Sequence, residues 1–404
     1  MKPLSTRIQN IKPSGIRKYF DVKRDDLISL GVGTIDFDPF PAVQDAAIQA
    51  IEENFTGYTT NSGILPLREA IIGKLAKENS LSYSVEDILV TCGSSEAIAA
   101  VTQVVLDPGD EAIMFGPAYS AFGPLVELCN ATPIEIPTRG EDNWNPDVSA
   151  VEAAITPRTK LLFMNSPGNP TGAALSREVT EALSELAIKY DLWVVSDELY
   201  ERIMFDGKQI ISPASLPGMH ERTFTVNGFS KGFGMTGWRV GYVASPKGLT
   251  SALVKAQQFS SICAPAISQR AALAALTSSS EHFKAMLDEL THRRQFIVNQ
   301  INQMPYVHCQ PQDGTFYTFV DAREFLREKG EAMRSYLRQH TDGPLSDSEV
   351  EQLTDFVLIR GNVALTAGSA FGPCGEGWFR VSGASNMNVL QKGLTRVREA
   401  LEAL

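Results

Sequence analysis

Through the middle of the chain, apolar residues come in short blocks separated by longer, amphipathic stretches. Blocks stand at 88–91 (Ile88-Leu89-Val90-Thr91), 112–115, 160–164, 192–196, 224–226 and 240–244. Each is too short for a helix, and turn residues such as Asp107-Pro108-Gly109-Asp110 punctuate the run, so each predicts a strand. The blocks are apolar at successive positions rather than at every second one. That predicts strands buried on both faces of a mostly parallel sheet, with covering helices at 95–106 and 176–190. Upstream, Pro41 opens a helix with Val43, Ala46, Ala47, Ala50 and Ile51 on one face, and a second helix covers 66–79. Residues 1–40 are rich in Gly and Pro and predict irregular chain. Beyond about residue 250 the pattern turns to long helices, one of them near 281–303. The last hundred residues mix strands at 315–320 and 379–382 with helices such as 389–404. The expected fold class is α/β: a large domain with a mostly parallel sheet flanked by helices, plus a smaller α+β domain that the N-terminal segment helps to complete.

Composition narrows the function classes. The 404 residues suffice for two or three domains, and 43% hydrophobic with 21% charged residues is ordinary for a soluble globular protein. A net charge of −11, from 36 basic and 47 acidic residues, argues against nucleic-acid partners and against an anionic membrane surface. Small anionic ligands stay open, because local arginines decide those. Five cysteines without a CxxC spacing predict neither a disulfide framework nor a zinc site, and most are expected to be buried. The histidines are scattered, so no metal is expected. The start of the chain lacks the apolar core of a signal peptide, and no run reaches the length of a membrane span. A cytoplasmic location is the expectation.

Candidate chemistry gathers where strands end and helices begin, the rim that forms the ligand crevice of an open α/β sheet. Lys231 lies in Gly228-Phe229-Ser230-Lys231-Gly232-Phe233-Gly234, just after an apolar block, and Arg239 follows eight residues later. An amine held in a crevice can form a Schiff base with a carbonyl cofactor, and the arginine can pair with a phosphate. Taken alone, Lys231 reads as a surface lysine in a Gly-rich turn, and only the other segments of one site turn that reading round. Thr91-Cys92-Gly93-Ser94-Ser95 opens a helix, so Gly93, Ser94 and Ser95 can bind phosphate or simply cap the helix. Tyr119 can stack on a flat ring or belong to the core. In Asn165-Ser166-Pro167-Gly168-Asn169-Pro170-Thr171-Gly172 a rigid turn presents Asn169 as an amide donor. Asp197, in Ser196-Asp197-Glu198-Leu199-Tyr200, ends an apolar strand and needs a cation such as a protonated pyridine nitrogen, unless it caps the next segment. Arg380, inside the apolar Trp378-Phe379-Arg380-Val381-Ser382, needs an anion, either a ligand carboxylate or a structural ion-pair partner.

Together these segments resemble the class I/II aminotransferases, enzymes of fold type I that use pyridoxal 5'-phosphate (PLP), and in particular the subgroup with aspartate, aromatic and kynurenine aminotransferases. Ser-Lys followed by Met-Thr-Gly-Trp-Arg-Val-Gly, Asn-Pro-Thr-Gly and Asp-Glu-Leu-Tyr carry the likeness, from about residue 30 to residue 400. The resemblance implies transfer of an amino group from an L-amino acid to a 2-oxo acid, with Lys231 holding the cofactor as an internal aldimine. It further implies Asp197 on the pyridine nitrogen, Tyr200 and Asn169 on the ring hydroxyl, and Tyr119 on the ring face. Gly93, Ser94, Ser95, Ser230 and Arg239 fall at the phosphate, joined by Tyr58 from the partner subunit of a homodimer. Arg380, Asn169 and Gly33 fall at the substrate carboxylate. The implied domains are a large PLP-binding domain over 45–285 and a small domain from 1–44 and 286–404. The chain departs from the family pattern at Gly228, where relatives carry serine, which implies one phosphate contact fewer. It departs again at Thr34-Ile35, where relatives carry Glu-Pro. Arg17 is a candidate second cation if its segment covers the site, but reads first as a solvent-exposed arginine. Other fold-type-I reactions, β-lyase or carbon–carbon lyase, remain open. So does a ligand-sensing regulator of the same fold, although the chain has no length to spare for a DNA-binding domain. A remote rival is a serine hydrolase, since Gly228-Phe229-Ser230-Lys231-Gly232 matches a nucleophile elbow.

Overall fold

The computed structural model describes residues 2–11, 13–18, 22, 24–278 and 281–404, with the side chains of Asn10 and Arg17 left aside. A seven-stranded sheet forms its centre, in the order Ile88–Thr91, Gly241–Ala244, Thr223–Gly228, Trp193–Asp197, Thr159–Asn165, Glu111–Gly116, Thr132–Pro137. Neighbours pair in parallel except around Gly241–Ala244, which runs against both of its partners. Successive side chains of a strand face opposite ways, and here both ways are apolar. Leu161, Phe163, Val195, Phe224 and Val243 pack with helix Ser94–Val105. Leu162, Met164 and Val194 pack with Leu183 and Ala187 of helix Arg177–Lys189. The predicted strands and helices are therefore present, with ends shifted by a residue or two.

Strand Thr132–Pro137 carries no apolar block and escaped the sequence pattern. It lies at the sheet edge, where two prolines and Glu135 are tolerated because one side of the strand needs no ladder partner. Helix Pro41–Glu52 buries Val43, Ala47 and Ala50, but Ile51 is 56% exposed beside Ile48. The expected five-residue face is narrower because helix Ala266–Thr277 covers one side of it. The segment expected to be irregular holds a short helix at Thr6–Asn10, a 3-10 turn at Gly15–Arg17 and a strand at Ile28–Ser29.

That strand pairs with Val363–Ala364, and Leu30 enters the same core as Phe325, Met333, Phe356, Leu390 and Leu394. Over this core lies an antiparallel sheet ordered Thr366–Ala367, Trp378–Ser382, Tyr317–Asp321. Helix Glu281–Ile301 links the two parts. Met286 and Leu290 pack with Tyr200 and Phe316, and one end, at Ile297 and Ile301, packs with Val320 and Phe325. All five cysteines are free. Only Cys309 is buried and the others are half-exposed, contrary to the expectation that most are buried.

Candidate active site

The carboxyl ends of the parallel strands open on a cavity of about 420 Å³. Strand Ile88–Thr91 delivers Ser94 and Ser95, Glu111–Gly116 delivers Tyr119, and Thr159–Asn165 delivers Asn165 and Asn169. Trp193–Asp197 delivers Asp197 and Tyr200, and Thr223–Gly228 delivers Ser230 and Lys231. The reversed strand Gly241–Ala244 brings its leading end to this rim, so Arg239 also lines the cavity. Gly33, Tyr317 and Arg380 close it from the other side.

At one end the Gly93-Ser94-Ser95 turn meets Arg239. The capping alternative does not hold there. Helix Ser94–Val105 has Gly93 at its N-cap without a side-chain cap bond, and the Glu96 carboxylate takes the Cys92 amide at 2.6 Å instead. The turn closes around glycines. A Cβ on Gly93, at φ +83°, would sit 2.5 Å from an Arg239 nitrogen, and one on Gly241 would sit 2.5 Å from the Ser94 amide. Among the described residues Arg239 donates only to backbone carbonyls, of Thr236 at 3.1 Å and Cys92 at 3.4 Å. A helix N-terminus, two hydroxyls and a guanidinium without a carboxylate partner among the described residues form an anion cradle.

Asp197 is buried and has no cation within ion-pair distance among the described residues. Its bond in the structure is a long one, accepted from the Leu199 amide at 3.3 Å. Burial pushes its carboxyl up to about 7. Asn165 ties this strand end to the neighbouring turn, donating to the Asp197 carbonyl at 3.1 Å and accepting the Asn169 amide at 3.1 Å. Glu198, next in sequence, does not line the cavity. Ser196 and Ser212 hold it at 2.8 and 2.6 Å, and burial with Glu201 nearby raises it to about 7.

Arg380 is 1% exposed, and the structural ion pair considered for it is absent among the described residues. Its guanidinium instead donates to the Asn169 side-chain oxygen at 2.7 Å and the Gly31 carbonyl at 2.7 Å, with its Nε unpaired. The Lys231 amine donates to the Gly33 carbonyl at 2.6 Å. Burial lowers its pKa, with the Arg380 and Arg239 charges acting the same way and Tyr317 opposing. Sequence reasoning missed Tyr317 because it reads as one more aromatic in the run Phe316-Tyr317-Thr318-Phe319. Its position two residues off Phe319, the ladder partner of Arg380, is the signal that needed the sheet register.

Two predicted residues do not line the cavity. Gly93 stands behind it, against Arg239, and Tyr58 is 83% exposed on the surface of this chain. Ser14 and Ile16 do line it, so the segment around Arg17 covers the mouth, while the Arg17 side chain, Tyr19 and Phe20 lie outside the described residues. Gly228 faces backbone. A Cβ there would be 3.2 Å from the Gly241 Cα, which leaves little room for a longer side chain. The hydrolase reading fails on architecture, because Ser230 enters turns and the 3-10 segment Thr236–Trp238 rather than a helix, and no histidine lines the cavity among the described residues.

A carboxylate without a cation, an anion cradle, an amine and a guanidinium without an anion stand around one cavity, a set of charges that a ligand bearing both signs would complement. The family model for aminotransferase class I and II matches residues 25–397. The chain is 37% identical over 401 residues to the putative aminotransferase YugH of Bacillus subtilis, covering 98% of each chain. It is 35% identical over 403 residues to the aspartate aminotransferase of Pyrococcus abyssi, again covering 98% of each. The crystal structure of an aromatic aminotransferase from Pyrococcus horikoshii superposes with a TM-score of 0.85 at 34% identity, over 94% of this chain and 97% of that one. The chain belongs to the class I and II aminotransferase family. It is an aminotransferase, acts on amino acids and 2-oxo acids, and uses pyridoxal phosphate. The residues present fit that group, since Asp197 lacks the cation and the Gly93–Arg239 cradle lacks the anion that it carries.

Proposed function

We propose that this cavity carries out transamination with the roles distributed as follows. The Ser94 and Ser95 turn, Ser230 and Arg239 hold the phosphate, with Gly93 giving Arg239 its room. Tyr119 packs on the ring face, Asp197 holds the ring nitrogen protonated, and Tyr200 and Asn169 hydrogen-bond the ring hydroxyl. Arg380, aligned by Asn169 and backed by the Gly33 segment, takes the substrate α-carboxylate in its fork. Pyridoxal phosphate supplies the carbonyl for the amino group and a cationic ring that accepts the electrons left at the α-carbon. Lys231 does the proton work. Burial lowers the pKa of its amine, which accepts the α-proton at Nζ and holds it for return. Asp197 would hold the positive charge of the ring nitrogen in place, an effect of about 3–4 kcal/mol in comparable preorganised sites.

One observation carries this reading. Among the described residues, a buried acid without a cation and a buried arginine without an anion face one cavity, which the Lys231 amine also lines. Each costs free energy until a ligand of matching charge arrives. We also propose a homodimer, on the exposed apolar face. Ile48, Ile51, Tyr58, Leu65, Phe259 and Ile262 are exposed, and the Asn61–Ile262 and Gln269–Thr59 hydrogen bonds bring part of that set together. Buried against a second copy, this face lets Tyr58 reach the partner's phosphate cradle. The core around Leu30 and Phe325 and the cores on the two faces of the large sheet support a division into a large domain, 45–285, and a small one, 1–44 with 286–404, with a shared cluster at Tyr200, Met286 and Phe316 where they meet. No helix among the described residues is long and apolar enough to cross a membrane, and we place the enzyme in the cytoplasm. Borohydride reduction of the holoenzyme followed by peptide mapping tests the assignment. The reduced cofactor is expected on Lys231, and its recovery on any other residue overturns these roles.

A further inference from the structure

We propose that Tyr317 is a positioning residue for transamination, its hydroxyl steering the Lys231 amine and its ring carrying the Arg380 guanidinium. The inference rests on the roles proposed for Lys231 and Arg380, and adds a residue that links them.

The sheet register makes the link possible. In the antiparallel pair, Phe319 stands opposite Arg380 and Tyr317 opposite Ser382, so Tyr317 is the diagonal neighbour of Arg380 on one face. Long side chains bridge that diagonal, and the Arg380 guanidinium carbon lies 4.0 Å from the centre of the Tyr317 ring. A planar guanidinium stacked on a ring loses its freedom to tilt, which fixes the plane of the fork offered to a carboxylate.

The hydroxyl end meets the proton-handling group. Gly33 has no side chain, and both groups crowd the space a side chain would take. A Cβ there would collide with the Tyr317 hydroxyl and lie 3.4 Å from the Lys231 amine. The same glycine's carbonyl accepts from Lys231 at 2.6 Å, while the Tyr200 hydroxyl donates to the Tyr317 oxygen at 3.3 Å. Around these groups stand the charges of Lys231, Arg380 and Arg239, the Asp197 carboxyl, and the phenols of Tyr200 and Tyr119. Burial drives the Tyr317 phenol up, yet the Lys231 and Arg380 charges and the Tyr200 hydrogen bond outweigh it and leave it below the ordinary range.

The consequence concerns aim. When Lys231 takes the α-proton its nitrogen has three N–H donors and needs acceptors inside a buried cavity. The Gly33 carbonyl provides one, and under this proposal the Tyr317 oxygen, crowded against the same glycine, is the second, which would fix the rotation of the amine and leave the third N–H for return of the proton. The group that grips the carboxylate and the group that moves the proton thus share one side chain.

Tyr317→Phe keeps the ring and deletes the hydroxyl, and Tyr317→Leu deletes both. In the holoenzyme, Tyr317→Phe is expected to lower kcat at least about tenfold with KM for the amino acid within about twofold. Tyr317→Leu is expected to raise KM as well. In cofactor-free protein, acetic anhydride labelling of Lys231 followed across pH reads the amine directly. Its midpoint is expected at lower pH in Tyr317→Phe, because the lost oxygen had favoured the ammonium. A Tyr317→Phe enzyme with wild-type kcat, or with an unmoved labelling midpoint, overturns the proposal. If Tyr317→Leu does not fold, Tyr317→Phe alone decides. A wild-type Lys231 that forms no borohydride-reducible bond overturns the underlying roles, and is read before the variants are compared.

Discussion

The Arg380 guanidinium donates to the Asn169 side-chain oxygen at 2.7 Å, joining two residues 211 positions apart in the chain. Arginine has donors and no acceptor, so this contact also settles which way the Asn169 amide points. Its oxygen belongs to Arg380, and its NH₂ is left for a ligand.

Asn169→Asp follows from that contact. A carboxylate at this position gives Arg380 a permanent anion and competes with the substrate. The KM for amino acids is expected to rise about 10- to 100-fold, the range set by one charged hydrogen bond of roughly 1.5–3 kcal/mol. Steady-state kinetics across several amino acids check it, and an unchanged KM throughout moves the carboxylate site away from Arg380.

Asp197 makes the cofactor-free protein sensitive to pH. Its carboxyl is raised in the folded state to about 7, from an ordinary 3.8. The unfolded chain therefore releases this proton first as pH rises. Folding stability falls from about pH 4 to about pH 7 and is flat above, by an order of about 4 kcal/mol at most. Glu198 adds a loss of the same sign, so the comparison with Asp197→Asn isolates one residue. Urea midpoints of cofactor-free wild type should drop more steeply between about pH 4.5 and 7.5 than those of the variant. Parallel curves would contradict the assignment of an unpaired acid.

Gly93→Ala tests the phosphate cradle. At φ +83° and ψ 163° the backbone suits glycine, and the added methyl would press on Arg239. The variant should fold, with PLP affinity about 10- to 100-fold weaker for a strain of roughly 1–3 kcal/mol. Fluorescence titration of the cofactor-free protein measures it, and wild-type affinity would show that Arg239 does not serve the phosphate.

Tyr58 and the apolar face around it carry the dimer prediction. Ile48→Glu with Ile51→Glu should give monomers by light scattering and lose activity, because like charges would meet across a dry contact. Tyr58→Phe should stay dimeric and hold PLP about tenfold less tightly, for one hydrogen bond to a charged group. A double glutamate variant that remains a dimer places the contact elsewhere.

The sequence by itself determined the large sheet, the Lys231 turn and the family. Strands buried on both faces must be apolar throughout, and a rim of glycines, hydroxyls and charged residues at strand ends leaves a local mark. It left Asp197 between cap and cofactor ligand, Arg380 between ion pair and clamp, and Ser94 and Ser95 between cap and phosphate cradle. Each pair of readings differs only in what lies across the cavity, contributed by residues distant in the chain. Edge strand Thr132–Pro137 lacked the pattern because an edge imposes none. Tyr317 was illegible for a related reason. An aromatic in an apolar strand looks like core until the register sets its ring under Arg380 and its hydroxyl against Gly33, and register is a property of the paired sheet rather than of either strand.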